Sequence, residues 1–193
     1  MIELHLKDFN YNNSQILFKN IRLQLTLGKP VNLYGNNGSG KTTLLKLLAG
    51  IIEDEQYCSQ EDLSYAPSTS DSLFFHLTGE ENLRLFNLLN NVDEKNHLKF
   101  IPDNVPSTLE KSLQTKAIYS SNGMKQSINL LRAISAEAKL VLLDEPFNGF
   151  DKDTTLFFND LIQSHYCKNR FIVMTSHQPR EGWCNISIEE LEC

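Results

Sequence analysis

Residues 35 to 42 read Gly35-Asn36-Asn37-Gly38-Ser39-Gly40-Lys41-Thr42, with three glycines, a lysine and two hydroxyls in one short stretch. This fits G-x-x-x-x-G-K-[ST], a loop whose glycines let the backbone wrap until successive N–H groups and the next helix start face an anion. Lys41 adds a full charge suited to the β and γ oxygens of a triphosphate. The Thr42 hydroxyl suits Mg²⁺, which offsets the charge of such a ligand. Thr43 extends the set expected to touch phosphate. The bland alternative is a glycine turn opening a helix. Much further along, Leu140-Val141-Leu142-Leu143 runs straight into Asp144-Glu145. A buried strand would carry both carboxylates to one edge of a sheet. Asp144 then suits the Mg²⁺ shell, and Glu145 could take a proton from a water in line with the terminal phosphate. An unperturbed glutamate has a pKa near ~4.3, so position rather than basicity would make it a base. Taken alone, the pair could equally be a solvated strand end.

These groups need elements to hold them. Val31-Asn32-Leu33-Tyr34 reads as a short buried strand before the glycine loop, and Lys41 to Ala49 as a helix that Gly50 stops. Upstream, Ile2, Leu4 and Leu6 alternate with polar residues, as do Ile21, Leu23, Leu25 and Leu27. Two strands in an antiparallel ribbon are expected, with a turn at Asn12-Asn13-Ser14. Residues 53 to 62 read as a polar loop and Leu63 to Ala66 as a short strand ending at Pro67. Thr78-Gly79-Glu80-Glu81 has capping-box form, which predicts a helix over 79–91. Residues 92 to 118 leave loop and short helix open. From Gly123, Ile128, Leu131, Ile134 and Ala138 line one helical face before the strand over 139–144. Residues 154 to 167 read as a helix, Phe171 to Thr175 as a buried strand followed by Ser176-His177, and 185 to 188 as a last strand. Strands alternating with helices around such a loop imply an α/β fold. Its sheet would be mostly parallel, with ligands at the carboxyl ends of the strands.

Composition bounds the partners. The 193 residues, 40% hydrophobic, suffice for one domain with a sizeable core. A net charge of −6 and pI near 5.4 argue against a nonspecific grip on nucleic acid or anionic lipid. Apolar runs such as Leu140 to Leu143 stop far short of the ~20 residues that cross a bilayer, and Glu3 and Asp8 break any signal-peptide core. Cys58, Cys167, Cys184 and Cys193 are scattered without a C-x-x-C pair, so reduced thiols are expected.

The motifs, in this order, resemble those of the nucleotide-binding subunit of an ABC transporter along the whole chain. Gly35 to Thr42 resembles the Walker A motif and Leu140 to Glu145 the Walker B. Ser120-Ser121-Asn122-Gly123-Met124-Lys125-Gln126 resembles the signature motif in its L-S-x-G-M-K-Q form, with its register fixed by Arg132-Ala133. Asn148-Gly149-Phe150-Asp151 resembles the D-loop. His177, which by itself would more often be structural, resembles the switch histidine. Tyr11 resembles the aromatic that stacks on adenine, with Phe9 as its rival. The resemblance implies a P-loop NTPase with a central mostly parallel sheet, an N-terminal antiparallel β-subdomain and a small helical subdomain over about 70–138. All 193 residues would form one ATP-binding domain.

By the same resemblance, ATP and Mg²⁺ are the expected ligands, and two cassettes pack head to tail. Ser121 and the Gly123 N–H would then meet the γ-phosphate of the partner cassette's ATP. An integral membrane permease subunit is the expected partner, with the chain cytoplasmic and peripheral on the inner membrane face. No nucleic acid is expected. The G-M-K-Q variant resembles exporter-type cassettes such as those of antibiotic-efflux and haem-export systems. Leu73, Phe74 and Phe75 are expected either to anchor the permease or to pack inside the helical part. Two departures stand out. Ser120 replaces the leading leucine of the signature, and Ser68, after Tyr65-Ala66-Pro67, stands where the Q-loop glutamine usually is. Serine is too short to reach the metal and attacking water, which predicts slow turnover. The segment from Gly50 to Leu63 is short, and no C-terminal regulatory extension is expected. Two other readings fit less of the pattern: a soluble ABC ATPase acting on ribosomes or DNA, and a low-turnover partner in a heterodimeric cassette pair.

Overall fold

A computed structural model describes residues 1–10, 16–52, 62–69, 72–90 and 104–192. The chain forms two compact units. One comprises Met1–Tyr65, Ala138–Asp144 and Gln163–Cys193; the other comprises Ala66–Glu137 and Glu145–Ile162.

In the first unit, β1 (Ile2–Leu6) pairs antiparallel with β4 (Ile21–Leu25). Leu4 faces Leu23 and Leu6 faces Ile21 on the buried side, while Glu3 faces Gln24 and His5 faces Arg22 on the solvent side. The period-two alternation is thus converted directly into two faces. Leu27 falls outside the strand, 44% exposed, where Thr26 and Lys29 bridge in a turn. The expected ribbon also carries an inserted pair, β2 (Phe9–Asn10) and β3 (Ile16–Phe18). The turn expected at Asn12-Asn13-Ser14 lies outside the described residues.

The main sheet contains β5 (Val31–Tyr34), β6 (Leu63–Ala66), β7 (Leu140–Leu143), β8 (Phe171–Ser176) and β9 (Cys184–Ser187) in the order β6-β7-β8-β5-β9. Strands β7, β8, β5 and β9 run parallel. All four residues of β7 are buried, as an unbroken apolar run requires of a strand covered on both faces. Helix α1 (Lys41–Leu48) follows β5 and buries Leu44, Leu45, Leu47 and Leu48 in a core shared with Leu33, Leu142, Val173 and the β1–β4 leucines. The Gly50 N–H bonds the Leu47 carbonyl and the Ile51 N–H the Lys46 carbonyl, which closes α1 in the Schellman pattern.

The second unit is helical. Helix α2 (Gly79–Leu89) has its expected capping box: the Thr78 side chain accepts from the Glu81 N–H at 3.2 Å, and the Thr78 N–H donates to the Glu81 carboxylate at 2.7 Å. The segment left open between loop and helix contains α3 (Ser107–Gln114) and a 3₁₀ turn over Ala117–Tyr119. Helix α4 (Asn122–Ser135) carries the long amphipathic face, burying Ile128, Leu131 and Ile134. Helix α5 (Lys152–Leu161) is shorter than the pattern over 154–167, because the chain continues from Ile162 to Tyr166 as a π turn. Among the described residues, no helix is long and apolar enough to cross a membrane.

Candidate nucleotide site

The site is built where β5 gives way to α1. Helix α2 is capped by Thr78, α4 by Ser121 and α5 by Asp151, but α1 has no side-chain cap and no acidic residue in its first turn. Its first N–H groups therefore lack intrahelical partners and carry the positive end of the helix dipole. Gly40, the residue before α1, has φ of 90°, and a Cβ there would lie 2.7 Å from the Phe18 ring. Only glycine suits that position. Asn36, Asn37 and Gly38 are exposed and Gly35 is half-buried, whereas the Ser39 hydroxyl is buried without a hydrogen-bond partner. The Lys41 ammonium is folded into the loop, donating to the carbonyls of Gly35 at 2.8 Å and Asn36 at 2.9 Å. Open helix start, orphaned hydroxyl and in-turned lysine together fit a bound polyphosphate.

Thr42 and Asp144 come together. The Thr42 hydroxyl donates to Asp144, with Oγ1 2.9 Å from Oδ2 and 3.2 Å from Oδ1. Asp144 follows β7 and is 1% exposed. Its Oδ1 also accepts from the buried Thr175 hydroxyl at 2.7 Å. A hydroxyl and a carboxylate are hard oxygen donors of the kind Mg²⁺ takes, usually from one or two protein groups with phosphates and waters completing the shell. The residues present therefore fit that ion, whose chemistry when bound is to neutralise phosphate charge. Glu145 is half-buried with φ of 46°, a left-handed conformation that costs a non-glycine residue about 1–2 kcal/mol. His177 is exposed directly after β8, which lies between β7 and β5. The ends of those three adjacent strands thus carry Asp144, Ser176-His177 and the glycine loop.

Phe9 is 8% exposed in the core, which removes it as a ring free to stack on a base. Tyr11, its rival, lies outside the described residues.

In the second unit, the Ser121 side-chain oxygen accepts from the Met124 N–H at 3.2 Å, which leaves the hydroxyl proton free to be donated elsewhere. The Gly123 N–H belongs to the first turn of α4, where N–H groups have no helical acceptor. A Cβ on Gly123 would overlap the carbonyl oxygen of Gly149. Signature and D-loop segments of one chain are therefore in backbone contact. Ser120, in the leucine position, donates to the Lys116 carbonyl at 3.1 Å and so closes the 3₁₀ turn instead of filling a pocket. Ser68 is exposed. Leu73 is 5% exposed, which decides between the two expectations for it: it packs inside the unit. Phe74 and Phe75 are about half exposed.

The profile of the family described as ABC transporter matches residues 18–148. The chain belongs to the ABC transporter family. Among relatives of this cassette is the cytochrome c biogenesis ATP-binding export protein CcmA of Legionella pneumophila, 32% identical over 92% of this chain and 93% of that protein. The CcmA protein of Nitrosococcus oceani is 31% identical over 84% and 80%. Among solved structures, an ABC transporter ATP-binding protein from Pyrococcus furiosus superposes with a TM-score of 0.77 over the full length of both chains at 17% identity, a likeness of fold. An ATP-binding subunit of an ABC transporter reaches 0.74 at 25% identity, over 92% of this chain and 80% of that one. The α/β P-loop architecture expected from the sequence is the one found.

Three sets of residues in this ABC cassette escaped the sequence reading. In the sequence Thr175 reads only as part of a buried strand. Asn32, 0% exposed inside β5, donates to the Gln178 carbonyl at 3.1 Å and to Asn185 Oδ1 at 2.8 Å, and accepts from the Ser176 hydroxyl at 2.8 Å. It fixes the turn that carries His177. In the helical unit, Gln126 and Asn129 of α4 donate to the carbonyls of Pro67 at 3.4 Å and Thr69 at 3.2 Å, which ties the segment after β6 to the signature helix. The available signal was a polar side chain inside an apolar run, which must find partners when buried.

Proposed function

We propose that this chain is the ATP-hydrolysing subunit of an exporter, paired with a second cassette and docked on a separate integral membrane permease at the cytoplasmic membrane face. The observation that carries the reading is the Thr42–Asp144 contact at 2.9 Å, which joins the start of α1 to the end of β7 in the arrangement a nucleotide-bound Mg²⁺ needs. Lys41 and the residues from Gly35 to Thr43 would hold the phosphates, and Thr42 and Asp144 the ion. Glu145 would take the proton of the attacking water, and His177 would contact the terminal phosphate. Tyr11 is assigned to adenine. Ser121 and Gly123 would complete the partner cassette's site, so ATP binds the closed pair better than the open one. Export is favoured by the G-M-K-Q signature and by the identity with export proteins of the CcmA type. The helical part over about 70–138 is assigned to docking. There Phe75 is half exposed beside Lys125, whose ammonium lies 5.5 Å from its ring centre, and its carbonyl accepts from Ile118 N–H at 2.9 Å; Ile118 and Tyr119 are exposed too.

The exposed, short Ser68 favours a second reading, a low-turnover partner of a more active cassette. Purification of the tagged protein in mild detergent tests both. Recovery with a multi-span membrane protein and no cassette other than further copies of this chain is expected for the first reading. A different cassette in equal amount would favour the second. Recovery with ribosomal or DNA-bound proteins would overturn both in favour of a soluble ATPase.

A further inference from the structure

Asn32 is a fully buried amide inside the apolar strand β5. Such a group is stable only when its polar atoms are bonded, so its partners show what it holds. Its orientation is fixed from β9. Asn185 accepts from the Arg180 N–H at 2.7 Å, which makes the accepting atom its oxygen, while its nitrogen donates to the carbonyls of Arg180 at 2.8 Å and Trp183 at 3.1 Å. The Asn32 atom 2.8 Å from that oxygen must then be nitrogen. The same nitrogen spends its other proton on the Gln178 carbonyl at 3.1 Å, and the Asn32 oxygen accepts from the Ser176 hydroxyl at 2.8 Å. Ser176 and Gln178 are the two chain neighbours of His177. They also meet directly, with Ser176 Oγ 2.6 Å from the Gln178 carbonyl. The chain is thus pinned on both sides of His177 by a residue of the strand that leads into the glycine loop. A backbone bond from the Gly35 N–H to the Ser176 carbonyl, at 3.3 Å, joins the same turn to the start of that loop.

We propose that Asn32 is a positioning residue for hydrolysis: it locks the peptide of His177 in register with the glycine loop, so that the imidazole meets the terminal phosphate already ordered. Asn185 acts one step further out, by orienting the Asn32 amide. The inference rests on the reading of ATP and His177 above.

The test is Asn32→Ala. It strands none of the partners, since the Ser176 hydroxyl keeps the Gln178 carbonyl and the Asn185 oxygen keeps the Arg180 N–H. Should it fail to fold, Ser176→Ala breaks the same contact from the other side and reads the same quantities. The first readout needs no nucleotide. In protein carrying isotope-labelled histidine, the Cε1–H resonance of His177, identified by its loss in His177→Ala, should shift or broaden in Asn32→Ala while those of His5 and His165 stay in place. The second is single-turnover ATP hydrolysis, whose rate should fall about 10- to 100-fold with the ATP dissociation constant changed by less than about 2-fold. In a His177→Ala background, Asn32→Ala should cost less than about 2-fold more, because a residue that acts through another is not additive with it. An unmoved His177 resonance overturns the proposal. So does an equal loss of rate in the two backgrounds, which would make Asn32 structural only. No ATP binding by the unsubstituted protein would overturn the ATP reading and this proposal with it, and that outcome is seen before any substitution is made.

Discussion

Asp144 is the most constrained side chain of the site. It is 1% exposed, and a carboxylate that deep is stable only with donors on its oxygens. Thr175 supplies one from a fully buried position, at 2.7 Å. Thr175→Val keeps the shape and removes the donor. It should cost about 1–3 kcal/mol in chemical denaturation and weaken Mg²⁺-dependent nucleotide binding, whereas Thr155→Val, on the half-buried surface of α5, should shift stability by less than about 1 kcal/mol. Asp151 shows the opposite situation, an exposed carboxylate that caps α5. Its side chain accepts from the Thr154 N–H at 2.7 Å, and that bond, followed by one from the Thr108 side chain, lowers its pKa. A folded pKa below the unfolded one gives stability that is present above the unfolded value, near ~3.9, and lost as pH falls through the folded value. Asp151→Ala should therefore cost about 1 kcal/mol at neutral pH. The gap to the unsubstituted protein should narrow below about pH 4 in acid-titrated melts. A constant gap would mean that the cap does not depend on the charge of the carboxylate.

At the scale of elements, the signature helix α4 is held from several sides within its unit. Asn129, 0% exposed, accepts from the Ser72 hydroxyl at 3.1 Å while donating to Thr69, and Gln126 reaches Pro67. Asn82, equally buried, binds the backbone of Phe74 through both its oxygen and its nitrogen and so shapes the turn that presents Phe74 and Phe75. The start of α4 is fixed by backbone contact between Gly123 and Gly149. Gly123→Ala inserts a methyl against a carbonyl that cannot step aside as a side chain would. A loss of about 1–3 kcal/mol in thermal melts is expected. Asn122→Ala, one residue earlier and exposed, should stay within about 0.5 kcal/mol. Equal effects would mean that the contact carries no strain, and that Gly123 serves phosphate alone.

For the whole molecule, the central question is what completes the site. The starts of α1 and α4 both carry the positive end of a helix dipole, and head-to-tail pairing would bring α1 of one copy and α4 of another to the same phosphates. A partner held by ATP should persist when hydrolysis is blocked. Glu145→Gln at saturating ATP is expected to elute as a dimer in size exclusion with light scattering, and as a monomer without nucleotide. Monomers under both conditions would exclude self-pairing and favour a heterodimer.

The glycine loop between β5 and α1, the strand carrying Asp144-Glu145, the ribbon of β1 and β4 and the capping box at Thr78 were legible in the sequence. Each is set by local chemistry: glycine torsions, side-chain periodicity, or a cap three residues away. The family resemblance added the order of motifs. What only the tertiary structure decided involves groups distant in sequence. Thr175 meets Asp144 because β8 lies beside β7, and Asn32 meets Asn185 and Gln178 because β5 lies between β8 and β9. Leu73 turns inward while its neighbours Phe74 and Phe75 stay half exposed, a choice that three consecutive apolar residues cannot announce. The Tyr65 hydroxyl, buried without a hydrogen-bond partner, belongs to the same class. Periodicity can place a tyrosine on a strand, but whether its hydroxyl finds a partner depends on what the neighbouring strand carries.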